Sequence, residues 1–282
     1  MLRFPFSAKS ITRSVPAGLA LASLLAPSPS FAQGDLLVAP TRVIINNRGT
    51  AEVVLDNIGE KEATYRISVT LKRMTEEGNL EPVEEKDANA VEKAAEGMVR
   101  YAPRRVVLPP GQPQSVRISA RPPADLPDGE YRIHLAFNGL PPVTPIAAQG
   151  SDDKAEGISI RLIPVYSIAI PIIVRKGNLV ATAAISNPRI EQGEKGPVFK
   201  LDMARSGTAS VFGEIRIMHP GNSDPVFLAK GIAVYPEVTH RIFSMALSPE
   251  QAAQLKGPVR VEYREFPENG GDLLASVEGT LG

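Results

Sequence analysis

The side chains that could act as bases, nucleophiles or metal ligands are few and scattered. His134, His219 and His240 lie far apart in separate candidate strands, no two at metal-ligand spacing, and the chain has no cysteine. Each histidine reads as a surface or interface residue. No GxGxxG or GxxxxGK[ST] stretch is available to cradle a phosphate, and no G-x-S-x-G turn to raise a nucleophilic serine. The acidic neighbours Glu76-Glu77 and Glu84-Glu85 fall in polar turns, where they are solvated. These patterns imply a non-enzyme with no metal and no cofactor. Arg42 is a cation placed early in the first strand, in Ala39-Pro40-Thr41-Arg42-Val43-Ile44-Ile45; spacing alone makes it a surface residue.

The elements that would position such residues are strands. Tyr65, Ile67, Val69 and Leu71 alternate with polar partners, as do Tyr131, Ile133, Leu135 and Phe137, and Val116-Arg117-Ile118-Ser119 repeats the pattern. Turn signals separate the runs, among them Asn47-Arg48-Gly49, Pro109-Pro110-Gly111 and Pro127-Asp128-Gly129. Between Glu84 and Gly97 the period changes, and a short helix is expected with Asp87 as its cap and Gly97 as its stop. Ser248-Pro249-Glu250-Gln251 is a capping box opening one further helical turn.

The longest β-branched run is Ile158 to Val174. Its even positions, Ile158, Ile160, Leu162, Pro164, Tyr166, Ile168, Ile170, Ile172 and Val174, form one apolar face. Pro164 and Pro171 cannot donate to a ladder, which predicts an edge strand. An apolar edge is an aggregation hazard unless covered or used. Alternation stops at Arg175-Lys176-Gly177-Asn178 and restarts at Val180, so a domain boundary is expected after Lys176. Short strands between frequent turns, without βαβ spacing, predict an all-β chain of two sandwiches in tandem, 33–176 and 177–282. The 26 prolines and 23 glycines fit that class.

Residues 1–32 read as a secretory leader. Arg3, Lys9 and Arg13 precede an apolar run from Val15 to Ala26, and Ser30-Phe31-Ala32 supplies small residues for cleavage after Ala32. The run is too short and too broken by proline to span a bilayer. The leader carries three of the 31 basic residues and none of the 31 acidic ones, leaving 28 against 31. Such a balance offers no footprint for nucleic acid, and no later run is apolar enough to embed in a membrane.

Three stretches together resemble the periplasmic pilus-assembly chaperones of the PapD type. Leu36 to Val43 is similar to the family's opening strand. Tyr101 to Gln112 with Val116-Arg117 resembles its "P…R.V.L.PG…..R" hallmark, and Leu126 to Arg132 through Leu140-Pro141-Pro142 resembles its strand ending in a double proline. The match is good from Leu36 to Lys176 and weak beyond. The resemblance implies two immunoglobulin-like domains and a client that is a pilin-like subunit lacking a strand. Ile158 to Ile170 would then be the strand lent to that client by β-augmentation, with Leu162, Pro164 and Tyr166 as its donor side chains. It implies a periplasmic location and an outer-membrane usher as a further partner. Arg42 would anchor the client's terminal carboxylate, while Pro171, with Ala169 nearby, stands where the family has a second cation. Glu130, Arg175 and Glu268 would form an interdomain ion cluster. The alternative is a secreted immunoglobulin-like module that binds a folded surface protein or glycan.

Overall fold

Burial follows the alternation. In a strand such as Gly49–Asn57, Val53 and Leu55 are buried while Glu52, Val54 and Asp56 face out. In the computed structural model of the protein, the structure describes residues 36–141, 165–222 and 224–282. The expected leader and its cleavage point lie outside the described residues, as do Ile158, Ile160, Leu162 and Pro164.

The first sandwich is built, in chain order, from β1 (Leu36–Ala39), β2 (Val43–Asn46), β3 (Gly49–Asn57), β4 (Ala63–Met74), β5 (Leu80–Val83), β6 (Val99–Ala102), β7 (Arg105–Leu108), β8 (Gln114–Ala120), β9 (Gly129–Gly139) and β10 (Ser167–Lys176). One sheet runs β1-β3-β8-β6. The other runs β2-β10-β9-β4-β5, with β7 on the first residues of β4. This is the immunoglobulin order, with the opening strand split so that β1 serves one sheet and β2 the other. Pro40 to Arg42 make that crossing. The Tyr131 hydroxyl donates to the Pro127 carbonyl (2.7 Å), the tyrosine corner of such sandwiches. The core between the sheets includes Leu55, Leu108, Ile118, Ile133, Leu135, Phe137 and Ile172.

The helix α1 (Ala90–Met98) forms, but its cap is Asn89. The Asn89 side chain accepts from Glu92 N (2.9 Å) and the Glu92 carboxylate from Asn89 N (2.8 Å). Asp87 instead ends a 3-10 turn, and Gly97 lies inside the helix. Ala95 and Met98 turn into the core, and tertiary burial carries the helix through its glycine.

The second sandwich holds β11 (Ala181–Gly193), β12 (Gly196–Gly207), β13 (Val211–Met218), β14 (Phe227–Val234), β15 (His240–Ala246), β16 (Gly257–Arg264) and β17 (Leu273–Leu281), with α2 (Pro249–Gln254) before β16. Its sheets run β11-β12-β15 and β14-β13-β16-β17, again the immunoglobulin order. Phe199, Leu201, Ile215, Ile217, Val261 and Tyr263 fill its core. The capping box of Ser248 and Gln251 is in place at α2.

Candidate partner-binding site: a half-covered strand and the cleft beside it

The sequence reading makes β10 an edge strand, and the structure corrects that for half its length. Ile172 to Arg175 pair in parallel with Val43 to Asn46 of β2, while Ser167 to Lys176 pair with β9 on the other side. Ser167 to Pro171 thus lie below the start of β2. On that side they have no strand partner among the described residues. Pro171 has no N–H to offer there.

The even face also needs correction. Ile170 is only 2% exposed and packs in the first core with Ile172 and Val174, and Ile168 packs against the same cluster. Ile168 and Ile170 are therefore committed to their own sandwich, not to a partner. The reason is the strict two-residue period: a strand whose upper even residues fill a core keeps its lower ones on that face until the sandwich ends. It ends near Tyr166, which is 55% exposed beside Val165. The Gly139 N–H donates to the Tyr166 carbonyl (2.9 Å), so pairing with β9 continues that far.

The odd face of β10 looks toward the second sandwich. Ile173 is buried with Met74, Ala233 and Tyr235. Arg42, at the crossing before β2, reaches the same place. Its Nη1 donates to the Tyr235 hydroxyl (3.0 Å) and its Nη2 to Ser210 Oγ (2.9 Å), and its guanidinium lies 4.3 Å from the Phe212 ring centre. Burial lowers the Arg42 pKa from its ordinary value. Arg42 is thus not a plain surface residue.

Arg175 Nε donates to Glu130 Oε2 (3.1 Å). Ser210 completes the group, its backbone N–H (3.1 Å) and hydroxyl (2.9 Å) both donating to the same oxygen. The chain Arg42–Ser210–Glu130–Arg175 crosses between the sandwiches. Glu268 is not part of it: it sits exposed in the 3-10 turn Pro267–Asn269 and makes no ion pair among the described residues. No sequence signal marks Ser210, a serine at the start of a strand.

A second crossing is built on Arg132. Its guanidinium pairs with Glu237, donates to the Lys72 carbonyl (3.0 Å), and lies 3.5 Å from the Tyr235 ring centre. Glu237 Oε1 also accepts from the Met74 N–H (2.9 Å). Beside it, His134 is 1% exposed, and neither ring nitrogen has a hydrogen-bond partner. Of the two readings open to this histidine, surface or interface, its burial excludes the first. Burial first, then Arg132, Lys72 and Arg42, push its pKa down to about 3, so the ring is neutral at ordinary pH. His219 is half-buried, its ring nitrogens within hydrogen-bond reach of the Pro258 and Gln254 carbonyls (2.9 and 2.8 Å).

Among the described residues no three His, Asp or Glu side chains gather as a metal set, and no helix is long and apolar enough to cross a membrane. No family model and no curated protein matches the chain. Among solved structures, the YadV chaperone is 12% identical over 88% of this chain and 100% of its own, with a TM-score of 0.46. The Escherichia coli (E. coli) chaperone DraB is 14% identical over 88% and 97%, also at 0.46. The CsuC–CsuE chaperone–tip adhesion subunit pre-assembly complex of Acinetobacter baumannii matches at 14% identity, 88% and 99% coverage, and 0.44.

Proposed function

We propose that this protein is a periplasmic chaperone of the pilus-assembly type, which holds an incomplete fibre subunit by adding a strand to it. The observation that carries this reading is that Ser167 to Pro171 of β10 have no strand partner on one edge among the described residues, and that Arg42 stands level with the end of that edge. A strand-deficient subunit pairing along that edge gains ladder hydrogen bonds. Leu162, Pro164 and Tyr166 supply the side chains that enter its groove, since Ile168 and Ile170 are spent on the chaperone's own core. In this reading the chain divides into domains after Lys176, and an outer-membrane usher takes over the client.

Arg42 receives the client's terminal carboxylate. A guanidinium carries five N–H bonds; Tyr235 and Ser210 engage one on each Nη, and Nε is buried with no partner. Three N–H bonds remain, on a group whose direction is already fixed by stacking on Phe212. Holding the donor in place beforehand reduces the ordering cost of binding.

The test is refolding of a fibre subunit that lacks its last strand. With this protein present it should emerge as a soluble one-to-one complex, and Leu162→Glu should abolish the complex while the chaperone's circular dichroism is unchanged. Binding of a complete folded subunit or a glycan, with no complex for the deficient one, overturns the reading in favour of a module for finished ligands.

A further inference from the structure

Helix α2 ends without a cation of its own. Its last turn carries no basic residue, and a helix C-terminus leaves carbonyls without partners inside the helix and a partial negative charge on them. Leu255, which follows, is 1% exposed in the second core, so the end of α2 is fixed to the sandwich on one side. On the other side stands His219, the residue after β13. Its Nε2 lies 2.8 Å from the carbonyl of Gln254, the last residue of α2, and its Nδ1 lies 2.9 Å from the Pro258 carbonyl at the start of β16.

A carbonyl oxygen can only accept. A neutral imidazole has one N–H and a lone pair on its other nitrogen, whereas the imidazolium has two N–H groups. With the ring neutral, one of the two contacts sets a lone pair against a carbonyl oxygen. With the ring protonated both are hydrogen bonds, and one of them brings a positive charge to the end of α2. The two carbonyls, Pro258 first, raise the His219 pKa above its ordinary 6.5, against an opposing effect of burial.

The charged groups nearby do not supply this. His219 borders a cavity whose charged walls are Arg216 of β13, Arg260, Glu262 and Arg264 of β16, and Glu278 of β17. Glu262 answers the two arginines of its own strand, and Arg216 is turned to Glu214. Glu250 of α2, with Lys256 and Asp224 in the adjoining turns, completes the set. Among the described residues none of these makes a hydrogen bond or ion pair with the ring.

We propose that His219 is a proton-operated latch, which ties the end of α2 and the start of β16 to the end of β13 when protonated and releases one of the two when neutral. This is independent of the strand-addition reading. The sign is opposite to that of the buried His134, whose folded-state pKa is lowered. A pKa raised by folding gives a contribution that is complete below pH 6.5 and is lost as pH rises through the folded-state value.

The test is NMR of wild type and His219→Gln from pH 5 to pH 9, a range over which His134 stays neutral. The His219 ring should titrate with a midpoint above 6.5. The Leu255 and Lys256 amides donate to the Gln251 and Ala253 carbonyls and so report on the end of α2. Corrected for the intrinsic pH dependence of exchange, they should exchange about two- to fivefold more slowly below the midpoint than above it, the effect of one cation at a helix C-terminus. In His219→Gln, whose side chain donates from one nitrogen and does not titrate, that step should vanish. A midpoint at or below 6.5, no step in wild type, or an equal step in His219→Gln each overturns the proposal.

Discussion

At His134 the cost of a proton is set by burial and by three neighbouring cations, and the consequence is a pH dependence of known sign. The folded-state pKa is about 3 against an ordinary 6.5, so between these values the unfolded chain binds the proton and the folded one does not. Stability from this residue is complete above pH 6.5 and is lost as pH falls from there toward 3, by up to about 1.4 kcal/mol per unit. Urea denaturation at pH 7, 5 and 4 should show this fall, and His134→Phe should remove most of it. Ser210 carries a different burden. It donates twice to a carboxylate whose side chain is 0% exposed. Ser210→Ala removes the hydroxyl from Glu130 and from Arg42 together and should lower stability by about 1–3 kcal/mol, read by the same denaturation at pH 7. Arg42, Glu130 and Arg175 were singled out in the sequence only through the family resemblance, since spacing alone made Arg42 a surface residue. Ser210 was not, because a serine at a strand start is ordinary until a carboxylate from another sandwich arrives beside it.

At the scale of elements, the central case is β10, one strand with two environments. Its upper half is covered on both edges and its lower half, among the described residues, on one. The side chains do not change faces along it, so a charge at Ile170 attacks the core and not a partner. Ile170→Glu should cost about 3 kcal/mol or more of stability and shift the first sandwich's unfolding midpoint, in contrast to Leu162→Glu. A fully folded Ile170→Glu protein with only client binding lost would return Ile170 to the partner-facing set. The alternation in the sequence continues through Ser167 to Val174, but edge or interior is decided by where β2 begins, at Val43, 124 positions before the start of β10 at Ser167 and in another sheet from β1. Helix α1 shows the same limit on a smaller scale. Asp87 and Asn89 are both acceptable caps, and only Glu92, three residues after Asn89 and held by Arg73 (2.8 Å), decides between them.

Across the whole molecule, Tyr235 is the wedge between the sandwiches. Its ring has the Arg132 guanidinium at 3.5 Å and that of Arg42 at 5.4 Å, and its hydroxyl accepts from Arg42. Farther out, the turn after β4 joins the edge of β15, where the Ile242 N–H donates to the Glu76 carbonyl (2.7 Å). That contact covers part of an otherwise open strand edge, one of the usual protections against edge pairing. Tyr235→Ala strips both arginines of a stacking surface while leaving each core intact. Small-angle scattering should then report a larger radius of gyration, and thermal unfolding should separate into two transitions, since interdomain contacts of this size are readily uncoupled. A single unchanged transition would mean the ion chain through Ser210 and the Glu76–Ile242 contact suffice.

By itself the sequence determined the class of the protein: two-residue periodicity, closely spaced turns and the missing cysteines demand sandwiches with cores of their own. These are local properties, since each strand's pattern is complete within a few residues. What only the tertiary structure decided is which of those strands lies at an edge, which apolar face is already used, and which charges meet. Ile170 and Tyr166 have the same place in the alternation, yet one is sealed in a core and the other is exposed. The family resemblance implied Glu268 as the third member of the ion cluster, and the packing of one sandwich on the other put Ser210 beside Glu130 in its place. Such choices depend on distances between residues far apart in the chain, which no periodicity encodes.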